Sequence, residues 1–102
     1  MRRLALCLCV ASFATACGPI QSTAWLLDSE KAIAEARAAK ADTRAVYEWT
    51  RANLYYDKAR EEAGYSDFEQ AVDYAKKSHA AALKAVELSK ASPARAVEPA
   101  GP

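Results

Sequence analysis

Residues 63–69 read "AGYSDFE", and this stretch decides the fold. It separates two runs of helix-forming residues that contain no proline. Gly64 predicts the left-handed residue that closes a helix, because a residue without Cβ takes positive φ at little steric cost. Ser66-Asp67-Phe68-Glu69 predicts the start of the next helix. Ser-x-x-Glu is a capping box, in which each of the two side chains satisfies an orphan backbone N–H of the first turn. Helices joined by so short a turn fold back on one another as an antiparallel hairpin.

Working outward, Asp42-Thr43 offers N-cap side chains between two Ala-rich runs and predicts a second break. Three helices are expected, near 22–40, 43–63 and 67–90. At 100° per residue, Ala45, Trp49, Ala52, Tyr56, Ala59 and Ala63 fall on one stripe of the second helix, with coiled-coil spacing. Phe68, Val72, Ala75, His79, Ala82 and Val86 do the same in the third, with Ala71 and Leu83 on the shoulders. The first presents Trp25, Ser29, Ala32, Ala36 and Ala39, widened by Leu26 and Ile33. The fold class is all-α: an antiparallel helical hairpin within a three-helix arrangement. Large apolar side chains are few in this chain of 102 residues. The core is expected to be thin and made by close approach of helices.

The N-terminus has a different character. Arg2-Arg3 precedes Leu4–Ala16, a 13-residue run without charge. As a helix it spans roughly 20 Å, short of the ~30 Å hydrocarbon core. A basic start, a short apolar run and small residues at its end predict a secretory signal with the cut before Cys17. The small positions are Ala14 and Ala16, with Thr15 between. These residues resemble the lipobox of bacterial lipoproteins, in which the cysteine after the cut receives diacylglycerol; Ala14 stands where leucine is usual. The resemblance implies lipid attachment at Cys17. The same bond suits the ordinary signal peptidase, which leaves a secreted helical protein as the alternative, and a buried cytosolic helix over 4–16 is a third. Lipidation accounts for a cysteine at the +1 position. It also leaves no thiol in an oxidising compartment, since Cys7 and Cys9 depart with the signal. Gly18 is not the aspartate associated with inner-membrane retention in enteric bacteria, so the outer membrane, facing the periplasm, is the expected location.

The expected organisation is a signal peptide over 1–16, a lipidated tether over 17–23, a helical domain over 24–90 and a disordered tail over 91–102, where three of the four prolines lie. Formal net charge is +1, and no like-signed block exceeds two residues. That gives no reason to expect a nucleic-acid partner.

Two wider resemblances concern the helical domain. "SDFEQAVDYAKKS", residues 66–78, resembles the second half of a tetratricopeptide repeat. Ser66 stands at the turn position usually held by Gly, Phe68 at the aromatic position, and Ala71 and Ser78 at small positions. Tyr55 and Ala59 fit the first helix of the unit, whereas Lys58 replaces the usual leucine and Ala75 a later aromatic. One unit is present and an array needs about three, so the implication is hairpin packing. "YEWT" at 47–50 and "ANLYYDKAREEAGYSDFEQA" at 52–71 resemble a family of small bacterial envelope lipoproteins and exported proteins, sometimes found with OmpA-like domains. That resemblance covers roughly residues 24–90 and implies a helical envelope domain. It carries no established activity, and it brings no peptidoglycan binding, which belongs to the OmpA-like domain.

Candidate chemistry is sparse. His79, the single histidine, is either a pH-sensitive or ligand-binding group or, as favoured here, a partly buried side chain bonded to a tyrosine such as Tyr56. Glu61-Glu62 and Asp67/Glu69 read as a solvated face and a cap, because adjacent helical carboxylates diverge rather than converge on a cleft. Tyr47 and Leu54 lie about 180° from the main stripe of the second helix. They either pack a middle helix against a second neighbour or form a partner-binding groove. No catalytic residue, cofactor or metal site is expected. The expected function is a non-enzymatic envelope lipoprotein, acting as an adaptor or structural module. Its partners are the membrane, through the lipid, and an envelope protein. Self-association as a coiled-coil structural lipoprotein is the alternative.

Overall fold

The computed structural model describes residues 2–91, with the backbone alone for residues 5–16. The helices in order are α1 (Arg2–Ala38), α2 (Ala41–Arg44), α3 (Val46–Gly64) and α4 (Phe68–Ala91). Of the expected tail, Ala91 closes α4 and residues 92–102 lie outside the described residues.

The turn that decides the fold forms where expected, with its roles assigned to different residues. Gly64 is the last residue of α3 and its φ is not positive. Ser66 takes the left-handed conformation, at φ 62°. The Asp67 N–H donates to Glu62 O at 2.9 Å and the Ser66 N–H to Ala63 O at 3.1 Å, the bond pair of a Schellman motif. Ser66 is thereby committed to closing α3 and cannot also cap α4. Asp67 does that instead: its Oδ1 accepts the Gln70 N–H at 3.2 Å. Aspartate caps as well as serine, so one residue bonds backward through its N–H and forward through its carboxylate.

The other junction also departs from expectation. Asp42 and Thr43 do not cap the long helix but form the single turn α2. Lys40 enters that turn in the left-handed region, φ 60° and ψ 37°, and its carbonyl accepts the Thr43 and Arg44 N–H groups. α3 begins one turn later, behind Ala45, with no side-chain cap. The chain reverses here on backbone bonds to Lys40 O, joined by the Thr43 hydroxyl, which donates to the same carbonyl at 3.2 Å.

The expected stripes are the observed core. Ala45 just before α3 and Ala52 and Ala59 on it are buried, with Trp49, Tyr56 and Ala63 of the same stripe half-buried. On α4, Val72, Ala75 and Ala82 are buried and Phe68, His79 and Val86 half-buried. Ala71, Ser78, Ala81, Ala85 and Ser89 are buried as well, because α4 packs along both α1 and α3. The middle helix is therefore α4, not the second long helix.

Contacts give the directions. Gly18 lies against Phe68, Ser29 against Ala75, and Ala36 clusters with Ala85, so α1 and α4 run parallel. Ser78 meets Ala52 and Ala45 clusters with Ala85, so α3 runs antiparallel to both.

Two serines measure how close the helices come. The Ser78 hydroxyl donates to Ala52 O on α3 at 2.7 Å. The Ser29 oxygen lies 2.7 Å from Ala75 O on α4 and 2.8 Å from Trp25 O in its own helix. A side chain of two heavy atoms spans from one helix to the backbone of the next, using a second lone pair of a helical carbonyl. Alanine at the neighbouring contacts permits that approach. The Ser89 oxygen, by contrast, is buried without a hydrogen-bond partner.

Candidate functional site

Cys17 lies on α1 and is exposed. The residues after it, expected as a tether, are helical and docked. A Cβ on Gly18 would sit 3.4 Å from the Phe68 side chain, and Ser22 is buried. Pro19 stands inside α1, where it removes one helical N–H and crowds the carbonyl four residues earlier. Its own carbonyl accepts the Thr23 hydroxyl at 2.8 Å and the Ser22 hydroxyl at 3.2 Å. Ala14 and Ala16, the expected cleavage residues, lie on α1 where side chains are outside the described residues.

Tyr47 and Leu54 are 72% and 63% exposed. They do not pack against α1, because α3 is an outer helix whose buried face is the Ala52 stripe. The reason given above for a second apolar face belongs to α4.

Beside them is an arrangement that sequence reasoning missed. The Arg51 guanidinium lies 5.7 Å from the Tyr47 ring centre and 5.6 Å from that of Tyr55. Tyr55 stacks on Tyr74 of α4, with centroids 6.1 Å apart and planes at 24°. The Lys77 ammonium lies 5.7 Å from Tyr55 and 5.6 Å from Tyr74. These are cation–π distances, and they make a ladder of alternating rings and cations across α3 and α4. Hydrogen bonding to Tyr55 pushes Arg51 further toward its charged form, and Glu48 pairs with it at 3.4 Å. The 47-51-55 spacing was a readable signal; the Tyr55–Tyr74 register across helices was not.

His79 is half-buried, as favoured, with a different neighbour. Its ring meets Trp25 edge-on at 5.8 Å and 77°, and the Lys76 ammonium lies 5.3 Å from the Trp25 centroid. Tyr56 packs instead on the Ala32–Ala52–Ala82 cluster. Glu61 pairs with Lys58 at 3.2 Å and the Asp67 carboxylate caps α4.

A groove of about 320 Å³ runs between α1 and α3, lined by Glu30, Ile33, Arg37, Asn53, Tyr56 and Asp57. The Asn53 amide in it donates to Trp49 O at 2.8 Å. Among the described residues, no three His, Cys, Asp or Glu side chains are grouped to hold a metal ion. Among the same residues no helix is long and apolar enough to cross a membrane. No protein-family model matches the chain, and neither a curated protein nor a solved structure shows significant similarity to it.

Proposed function

We propose that this chain is a non-enzymatic cell-envelope lipoprotein. A compact helical module is held through lipid on Cys17 and serves as an adaptor or structural element on the periplasmic side of the outer membrane. The carrying observation is Pro19. Inside a long helix a proline is unfavourable by about 3 kcal/mol, whereas in the first turn its missing N–H has no partner to lose. A cut before Cys17 turns the first case into the second. It removes the uncharged run and leaves Gly18, Ser29 and Ala36, which meet α4. Exposure of Cys17 supports modification at that position.

The likeness to one tetratricopeptide unit is consistent with α3–α4. Ala59, Ala71 and Ser78, its small positions, are buried at helix contacts, and Ser66, at its glycine position, has positive φ. The alternative of a coiled-coil oligomer is less well supported, because its proposed seam, Ala45-Trp49-Ala52-Tyr56, faces other helices of the same chain.

Cys17→Ser tests the reading. Metabolic labelling with a fatty acid should disappear and the protein should leave the membrane fraction. Unchanged membrane retention in that variant would overturn the lipoprotein assignment.

A further inference from the structure

We infer that the end of the bundle carrying Cys17 is a membrane-contacting surface, on which Ile20, Tyr65 and Phe68 seat the module directly in the lipid headgroup layer. The inference rests on lipid attachment at Cys17 and goes beyond it, because an anchor alone does not fix where the attached module sits.

The absence of slack carries it. Seven flexible residues would let a domain wander roughly 15 Å from its anchor. Here the segment from Cys17 onward is helical, Gly18 faces Phe68 with room for no more than a Cβ at 3.4 Å, and Ser22 is buried in the bundle. Acyl chains on Cys17 therefore hold the first turn of the docked helix at the bilayer surface. Because α1 and α4 run parallel, the start of α4 and the α3–α4 turn lie at that same end.

The side chains there suit lipid contact. Ile20 is three residues beyond Cys17, on a neighbouring strip of the helix surface, and is 70% exposed. Tyr65, at the tip of the turn, is 77% exposed. Phe68 is half-buried beside Gly18. An aromatic ring with a polar tip favours the boundary between headgroups and acyl chains. The surrounding charges, Glu61, Glu62, Asp67 and Glu69 with Arg60 and Lys58, include more acids than bases. Attraction to anionic lipid is therefore not the source of contact, and a zwitterionic surface suffices. Seating this end points α2, whose Ala41 clusters with Ala85, roughly 25 Å away from the bilayer.

The test uses the acylated protein in phosphatidylcholine vesicles, with a nitroxide at Tyr65→Cys or, as the distal control, at Asp42→Cys. Thioether formation at Cys17 leaves the new cysteine as the labelling site, and circular dichroism verifies folding of both proteins. The probe at 65 should collide at least about threefold less with a water-soluble nickel chelate, and more with oxygen, than the probe at 42, as for a group in the interface. Adding phosphatidylglycerol should not strengthen the effect. Equal nickel access at both positions, in protein that floats with the vesicles, overturns the seating alone. Acylated preparations that fail to float overturn the anchoring reading and the seating together.

Discussion

Ser66 and Gly64 show how one turn distributes its demands. Ser66 occupies the left-handed region that disfavours a Cβ by roughly 1–2 kcal/mol, while Gly64 sits in ordinary helix, where its flexibility is a loss. Ser66→Gly should therefore stabilise the domain by about 1 kcal/mol. Gly64→Ala should add about 0.5–1 kcal/mol, since nothing lies within 4 Å of the added methyl. Urea denaturation of the two variants checks both signs; loss of stability in Gly64→Ala would restore the left-handed role to residue 64. Ser89→Ala removes a buried hydroxyl that has no partner, and should leave stability unchanged or raise it by up to about 1 kcal/mol. At this scale the sequence made the turn legible but not its register. The capping-box pattern and the Gly signal each had a plausible residue, and only the competition for Ser66 decided between them.

Among the elements, α4 carries the domain. Its buried positions are alanine and serine apart from Val72, so its neighbours are held by proximity more than by large side chains. Ala75→Leu should be unfavourable by about 1–3 kcal/mol through overpacking, more than Ser78→Ala, which loses one interhelical hydrogen bond worth about 1 kcal/mol. Equal melting temperatures for the two would show that the helices have room to move apart. Trp49→Ala should be unfavourable by about 2–3 kcal/mol, below the value for a fully buried ring, because this ring is half-exposed and contributes through the two Ala clusters and Arg37 at 5.6 Å. The apolar stripes were legible because a 3.6-residue period needs no knowledge of neighbours. Which helix lay in the middle was not, because alanine and serine on the second face of α4 carry little hydrophobic signal. That also decides Tyr47 and Leu54. As exposed residues of an outer helix, Tyr47→Ser with Leu54→Ser should leave helical circular dichroism intact. A partner surface there should show instead as the loss of one crosslinked species from envelope membranes. Unfolding of the double variant would contradict the placement of α3.

For the whole molecule, the sequence signals and the packing meet at Cys17. Before it stand a basic start and an uncharged run; after it, the described residues 18–91 belong to the helices and the turns between them. The reading of the N-terminus as a secretory signal rests on charge and length alone and belongs to the proposal. The rigid junction was not legible in the sequence, because Gly18-Pro19 reads as a helix breaker and only Phe68 and α4 show what the segment rests on. The lipid proposed on Cys17 is what would join these features. A single acyl chain binds marginally and two or more hold stably, at ~0.8 kcal/mol per buried CH₂. The most direct measurement is the intact mass, with N-terminal peptide sequencing by mass spectrometry, of the protein extracted from envelope membranes. The predicted result is a chain beginning at Cys17 with diacylglycerol on its sulfur. A chain beginning at Met1, or at Cys17 without lipid, would contradict it.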